Sequence, residues 1–115
     1  MIKRVAGLIG ECIRSTDKVA RLGGEEFVVL LREADLDASN FLAERIRAAV
    51  EEGTTTYRDS AIAATVSVGV TMVAASDRDV QDLIERADQA LYLAKNNGRN
   101  CVRQMLAYKD AAGVA

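Results

Sequence analysis

The chain has no histidine, no proline and no tryptophan, and aromatic residues make up only 4% of its 115 residues. Because histidine is absent, Ser-His and Cys-His nucleophilic catalysis and all histidine-ligated metal sites are excluded. The two cysteines, Cys12 and Cys101, are too few for a disulfide framework or a four-thiolate zinc site, and we expect reduced thiols. Any chemistry must therefore use carboxylates, lysine, arginine, hydroxyl groups or backbone amides.

The charge balance and length limit the class of protein further. Fifteen Lys and Arg residues against 17 Asp and Glu residues give a net charge of -2, which excludes a strongly basic binder of polymeric nucleic acid. A hydrophobic content of 50% is ordinary for one globular domain. No apolar run approaches the roughly 20 residues that span a bilayer. We therefore expect a cytoplasmic segment without membrane contact, although an upstream membrane anchor in a longer parent protein stays open.

Hydrophobic periodicity predicts an α+β fold in which helices pack on a mostly antiparallel sheet. The predicted elements are helices from Ile2 to about Arg14, from Asp35 or Asp37 to Gly53, and from about Val80 to Gly98, and strands over residues 18–22, 25–31, 64–72 and 101–105. The apolar end of the second strand predicts burial on both of its faces. Residues 54–59 are expected to form a polar loop, and residues 109–115 a frayed tail.

The segment with the least ordinary composition is Arg21-Leu22-Gly23-Gly24-Glu25-Glu26-Phe27, which has two glycines at a turn followed by two carboxylates. Glycines at a turn let a ligand approach the backbone closely, and a carboxylate beside them is a hard oxygen ligand for Mg²⁺. Since neighbouring strand residues face opposite sides, Glu25 and Glu26 are expected to have different roles. The alternative, favoured by the local pattern alone, is an exposed hairpin with two solubilising charges.

Two further charged patterns have both a functional and an ordinary interpretation. Lys95 and Arg99 lie at a predicted helix end, where they either complement the helix dipole or bind phosphate groups. Arg14 and Asp17 lie in the turn after the first helix. Taken alone, they are interpreted as a surface ion pair that contributes little to stability.

Three segments together resemble one family. Gly-Gly-Glu-Glu-Phe at residues 23–27, Ser-Val-Gly-Val at 67–70 and the Ala-Asp-Gln-Ala-Leu-Tyr-Leu-Ala-Lys helix followed by Gly-Arg-Asn resemble, in order and spacing, the GGDEF family of diguanylate cyclases. The resemblance implies a ferredoxin-like βαββαβ core that lacks the family's first strand. It also implies condensation of two GTP molecules into cyclic di-GMP with release of pyrophosphate, by a homodimer with two Mg²⁺ ions per active site.

The resemblance also assigns roles to individual positions. Glu25 matches the residue that binds Mg²⁺ and acts as the base near the attacking 3′-hydroxyl, and Glu26 matches the fixed glutamate beside it. Gly23 and Gly24 match the turn over the nucleotide. Two cations match the residues that hold GTP phosphates, namely Lys95 and Arg99. The inhibitory cyclic di-GMP site of the family, with its RxxD motif, is matched by Arg14, Asp17 and Arg45.

The sequence departs from the family pattern at its start. The family domain opens with a helix, a central strand carrying a second metal-binding Asp, and a guanine-recognising stretch, none of which has a counterpart here. Residues 1–108 are therefore interpreted as the C-terminal two thirds of a GGDEF domain, either a fragment of a longer protein or a chain completed by a partner. Three functions stay open: a cyclase whose 115-residue piece is inactive alone, a cyclic di-GMP receptor or sequestering module, and a dimerisation piece.

Overall fold

The structure is a computed structural model that describes residues 2–55 and 64–107. The chain divides into two compact units, residues 1–65 and residues 66–115. Each unit contains a two-stranded sheet and at least one long helix.

The first unit consists of helix α1 (Ile2–Cys12), strands β1 (Lys18–Gly23) and β2 (Glu26–Leu30), and helix α2 (Leu36–Thr55). The strands form an antiparallel hairpin whose register runs from Lys18 opposite Leu30 to Gly23 opposite Glu26, with an irregularity between Arg21 and Gly23. The two helices pack together through apolar residues spaced three or four apart. These buried residues are Val5, Leu8 and Ile9 of α1, and Ala43, Ile46 and Val50 of α2.

The second unit consists of β3 (Val68–Val70), α3 (Val80–Asn96) and β4 (Val102–Gln104). The strands pair in parallel, as a helical crossover between them requires. Helix α3 approaches β3 at Gly69, where a Cβ atom would lie 2.4 Å from the carbonyl oxygen of Ala87 and from the amide nitrogen of Leu91. The helix face that packs here carries small residues, since Ala90 and Ala94 are fully buried. Gly69 therefore sets the helix-to-strand distance.

Several predicted boundaries differ from the structure. Helix α2 continues past Gly53, because this glycine faces Leu8 in the helix packing and a Cβ there would lie 2.8 Å from the Leu8 side chain. Strand β2 is not buried on both faces: its ends are exposed and its middle is half-buried, since within the described chain it has only β1 as a neighbour. The predicted tail and residues 56–59 of the predicted loop lie outside the described residues.

The α+β class is confirmed, with helices α1 and α2 in one unit and α3 packed on both strands of the other. The strand pairs are one antiparallel and one parallel. Within residues 2–55 and 64–107, no helix is long and apolar enough to cross a membrane.

Candidate functional site

The tip of the first hairpin is a two-residue turn made by Gly24 and Glu25. Gly23 and Gly24 have φ angles of +151° and +51°, which side chains with a Cβ disfavour. A Cβ at either glycine would point into open space. The glycines therefore permit this backbone conformation, and the space beside the turn is open.

Arg21 closes this turn, a role that the sequence interpretation missed. Its guanidinium donates from Nε and Nη2 to the carbonyl oxygen of Gly24, at 2.8 Å and 2.5 Å. Because the C=O and N–H of a trans peptide point in opposite directions, the amide N–H of Glu25 is directed away from the Arg21 guanidinium. The only signal in the sequence was an arginine three residues before the carbonyl that it binds.

Glu25 and Glu26 are both exposed, Glu25 in the turn and Glu26 as the first residue of β2. Glu25 is therefore not a strand residue, and the expectation that the two residues alternate across a strand does not apply to it. Neither carboxylate has a hydrogen bond or an ion pair to any other described residue. Both are available to an incoming ligand.

The turn supplies one possible ligand for a magnesium ion, and it does not supply a complete metal site. Glu25 offers one free carboxylate, and Mg²⁺ commonly takes one or two carboxylates plus waters and substrate phosphates. Among the residues that the structure describes, no group of three or more metal-ligating side chains exists. Other ligands of such an ion would have to come from a nucleotide, from water or from further protein residues.

The second cluster is centred on Asp17, whose side chain is 1% exposed. Its Oδ2 accepts from the backbone N–H of Arg14 at 3.0 Å and from Arg14 Nε at 3.3 Å. Its Oδ1 accepts from Arg14 Nη2 and from the backbone N–H of Arg32, both at 3.2 Å. Arg14 also donates to the carbonyl oxygen of Arg32. Asp17 thus ties the end of α1 to the chain that follows β2.

The interpretation of Arg14 and Asp17 as a surface pair is wrong for Asp17. The hydrogen bonds from the Arg14 side chain and backbone lower the pKa of Asp17 from 3.8 to about 2, against the opposing effect of burial. Both carboxylate oxygens already accept two hydrogen bonds each, so Asp17 has little capacity left for a guanine. The Arg14 side chain is 58% exposed and is the member of the pair that a ligand can reach.

Arg45 lies on the exposed face of α2, opposite the buried residues Ala43, Ile46 and Val50. The acidic residue next to it, Glu44, pairs with Arg47. Arg45 itself has no hydrogen bond or ion pair to the residues of the described ranges.

Lys95 and Arg99 lie at the C-terminal end of α3, and both are exposed. The last helix carbonyls are capped by backbone groups: Asn97 N donates to Leu93 O at 2.9 Å, and Arg99 N to Ala94 O at 3.0 Å. Gly98, Arg99 and Asn100 all have positive φ angles, of 104°, 61° and 45°. Since neither cationic side chain is used in the cap or has another partner in the described chain, both are free to bind an anion.

The sequence analysis did not predict a buried ion pair in the second unit, which involves Asp77. The helix cap is Asp79, which accepts from Asp82 N. Asp77 instead pairs with Arg86 through two bonds of 2.7 Å, with side chains 7% and 13% exposed. These bonds lower the pKa of Asp77 to about 2. Arg86 also binds Thr71 and the Met72 carbonyl, which fixes the loop before α3 on the helix.

The predicted site residues therefore fall into four described places. The glycine turn with Glu25 and the Arg14–Asp17 pair lie in the first unit, Arg45 lies separately on helix α2 of that unit, and Lys95 and Arg99 lie in the second unit.

Residues 1–101 match the family described as "Diguanylate cyclase, GGDEF domain". The chain belongs to the GGDEF family. It is 42% identical over 102 residues to diguanylate cyclase A of Treponema denticola, a match that covers 89% of this chain and 28% of that protein. It therefore spans little more than a quarter of that relative.

Solved GGDEF structures have the same fold. The active GGEEF domain of a diguanylate cyclase from Vibrio cholerae is similar with a TM-score of 0.80 and 32% identity, over 90% of this chain and 65% of that chain. The GGDEF domain of DgcB from Caulobacter crescentus, solved in complex with cyclic di-GMP, is similar with a TM-score of 0.81 and 32% identity, over 90% and 61% of the two chains. These similarities confirm the predicted family and fold class.

Proposed function

We propose that this chain is part of a diguanylate cyclase, which joins two GTP molecules into cyclic di-GMP as a homodimer. The observation that carries the proposal is the free, exposed Glu25 on a glycine turn closed by Arg21. Its motif, Gly-Gly-Glu-Glu-Phe, has the same letters as the active GGEEF domain of Vibrio cholerae. An exposed carboxylate at an open turn is suited to contact a nucleotide and unsuited to stabilise a core.

In this proposal, Glu25 accepts the proton of the attacking 3′-hydroxyl and holds one metal ion. When bound, Mg²⁺ polarises the α-phosphate and acidifies the hydroxyl that attacks it. The oxygen forms a bond to the α-phosphorus of the second GTP as pyrophosphate leaves, and the equivalent attack by the 3′-oxygen of the second GTP on the first closes the ring and releases a second pyrophosphate. Lys95 and Arg99 bind the phosphate oxygens, since phosphoryl transfer depends mainly on positioning and charge neutralisation. Glu26 and the two glycines shape the turn over the nucleotide.

We also propose that Arg14 and Arg45 bind the product at an inhibitory site. Cyclic di-GMP carries two phosphate charges and two guanines, and a guanidinium can form a bidentate pair of hydrogen bonds with either group. Asp17 holds the Arg14 guanidinium in a defined orientation through the bonds to Nε and Nη2. In this form of the proposal Asp17 is a positioning residue and does not itself contact the guanine.

A second candidate function is a cyclic di-GMP-binding module without cyclase activity. The observation that favours it is that the described residues contain no group of three metal-ligating side chains. Measuring GTP turnover and cyclic di-GMP binding on one sample separates the two candidates.

Glu25→Gln tests the proposed catalytic role. In a form of the protein that converts GTP, we expect turnover to fall at least 100-fold, because loss of a metal ligand and base removes several kcal/mol of transition-state stabilisation. Circular dichroism should be unchanged, since Glu25 is exposed. The matched control is Glu11→Gln on the exposed side of α1, which should keep full activity. Near-normal turnover by Glu25→Gln would show that Glu25 is only a surface charge.

A further inference from the structure

An aromatic side chain lies exposed beside Arg45 on the outer face of α2. Phe41 is 73% exposed and precedes Arg45 by four residues, which places the two side chains on one helix face about 6 Å apart along the axis. The buried side of α2 is occupied by Ala43, Ile46 and Val50. Phe41 is therefore not a core residue of the unit that the structure describes.

The charge pattern around Phe41 leaves Arg45 available. Arg47 pairs with Glu44 and Glu51, whereas Arg45 has no hydrogen bond or ion pair to another described residue. The exposed residues flanking Phe41 on this face are Asp37, Ala38, Glu44 and Arg45. One ring among small and charged residues is a surface of the size of a single base. It is too small and too polar for a protein interface with an apolar centre.

We propose that Phe41 and Arg45 together bind one guanine of cyclic di-GMP, with the base stacked on the Phe41 ring and the Arg45 guanidinium at its edge. Stacking on an aromatic ring is a general way to bind an unpaired base, and arginine forks onto the O6 and N7 acceptors of guanine. This inference rests on the proposed product-binding function and adds a residue to it. Phe41 would supply affinity for the base, and Arg45 preference for guanine.

The absence of tryptophan from the chain permits a direct optical test. Phe41→Trp places a single indole at the proposed stacking position, and a guanine stacked on it should quench its fluorescence. We expect saturable quenching by cyclic di-GMP with the same Kd that calorimetry gives for the unmodified chain. Val73→Trp, at another exposed apolar position in the second unit, is the matched control and should show no saturable quenching.

Calorimetric titration of the 115-residue chain with cyclic di-GMP completes the test. Phe41→Tyr keeps the ring and should bind within about twofold of the wild type, whereas Phe41→Leu should bind about tenfold more weakly. Arg45→Ala should weaken cyclic di-GMP more than cyclic di-AMP, because adenine lacks the O6 acceptor. Circular dichroism should be the same for all variants, since both side chains are exposed.

The outcomes that overturn the inference are distinct from failure of the proposed function. Normal affinity of Phe41→Leu together with weakened Arg14→Ala would leave product binding intact and remove Phe41 from the site. If the fluorescence of the Phe41→Trp chain changes with protein concentration and not with ligand, Phe41 lies at a contact between chains and not at a base-binding site. No binding of cyclic di-GMP by the folded wild type would defeat the inference, while GTP binding measured on the same sample would still test the cyclase proposal.

Discussion

Asp17 anchors the fold, and it is also a positioning residue of the proposed product-binding site. Its carboxylate accepts from the backbone at Arg14 and Arg32 and from the Arg14 side chain. Removing a charged partner from a buried cluster leaves the remaining donors unsatisfied, which costs more than the loss of an exposed pair. A variant at Asp17 is therefore expected to lower stability, and under the proposed function its effect on product binding has to be measured together with its effect on stability.

The lowered pKa of Asp17 gives a prediction for stability against pH. Its pKa in the folded chain is about 2, below the ordinary value of 3.8, so its contribution to the free energy of unfolding is fully present above pH 4. It is lost as the pH falls through about 2, because protons bind more tightly to the unfolded chain. Asp77, with a pKa also about 2, adds a loss in the same window.

We expect Asp17→Asn to lower the Tm at neutral pH by roughly 5 °C or more, and to reduce the loss of stability between pH 4 and pH 2. Urea unfolding followed by circular dichroism measures both quantities. Asp88→Asn on the exposed face of α3 is the control and should keep the wild-type pH profile. An identical pH dependence in Asp17→Asn and the wild type would contradict the assigned anchoring role.

At the scale of the elements, the hairpin and α3 present their charged groups through backbone geometry. The turn between β1 and β2 is held by two glycines and by the Arg21 bond to a carbonyl. The cations at the end of α3 follow a helix whose approach to β3 depends on the missing side chain of Gly69. In each element, a residue without a ligand role determines where the candidate ligand-binding residue lies.

Arg21→Ala should release the turn without unfolding the unit. We expect lower backbone order parameters from ¹⁵N relaxation at Gly24 and Glu25, with a small change in stability, because an exposed hydrogen bond contributes only about 1 kcal/mol. Arg103→Ala is the matched control, since Arg103 is an exposed arginine that also binds a nearby carbonyl. Unchanged order parameters at the turn would mean that the glycines alone define it.

Gly69→Ala should destabilise the second unit. The added Cβ would meet backbone atoms of Ala87 and Leu91 at 2.4 Å, and overpacking of this kind costs about 1–3 kcal/mol or more. Gly7→Ala is the control with the opposite sign: Gly7 lies in α1 with open space around it, and alanine is favoured over glycine in a helix by roughly 0.5–1 kcal/mol. Urea midpoints of the two variants should move in opposite directions, and a shared direction would refute the packing argument.

At the scale of the whole molecule, the chain corresponds to about two thirds of a solved GGDEF domain. Its strands pair only two by two within the described ranges, and each residue of β1 is exposed. Exposed apolar side chains on the hairpin, such as Leu22 and Leu30, are the kind of surface that further protein normally covers. Neither a full set of metal ligands nor a fully covered sheet is present in the described chain.

We therefore expect the 115-residue chain to convert GTP at no more than a trace rate, as measured by chromatography of cyclic di-GMP. Under the proposed function, fusion to the part of the Vibrio cholerae GGEEF domain that it does not match should raise the rate by at least 100-fold, because the proposed metal site requires ligands beyond Glu25. A fusion that carries Glu25→Gln is the control and should stay inactive. Rapid synthesis by the isolated chain, free of contaminating cyclase, would show that its own residues complete the site.

The sequence by itself determined the family and the approximate positions of most elements, but not the extent of β3, which spans Val68–Val70 where a strand over residues 64–72 was predicted. Apolar residues that recur every three to four positions indicate a helix, and apolar residues that alternate indicate a strand, because both patterns follow from local backbone geometry. Helices α1 and α3 and the hairpin therefore lie within a few residues of their predicted positions. The motif letters at residues 23–27 and at the end of α3 identify the family, because their residue types and spacing match its pattern.

Only the tertiary structure decided which charged side chains are free and which are engaged. Three features depend on how separate segments or a turn bring atoms together. They are the burial of Asp17, the buried Asp77–Arg86 pair and the Arg21 bond to Gly24. The same holds for Gly69: its sequence context indicates an ordinary strand glycine, and only the structure shows that α3 packs directly against it. Sequence patterns record residue types and spacing, whereas burial and pairing are properties of the packed chain.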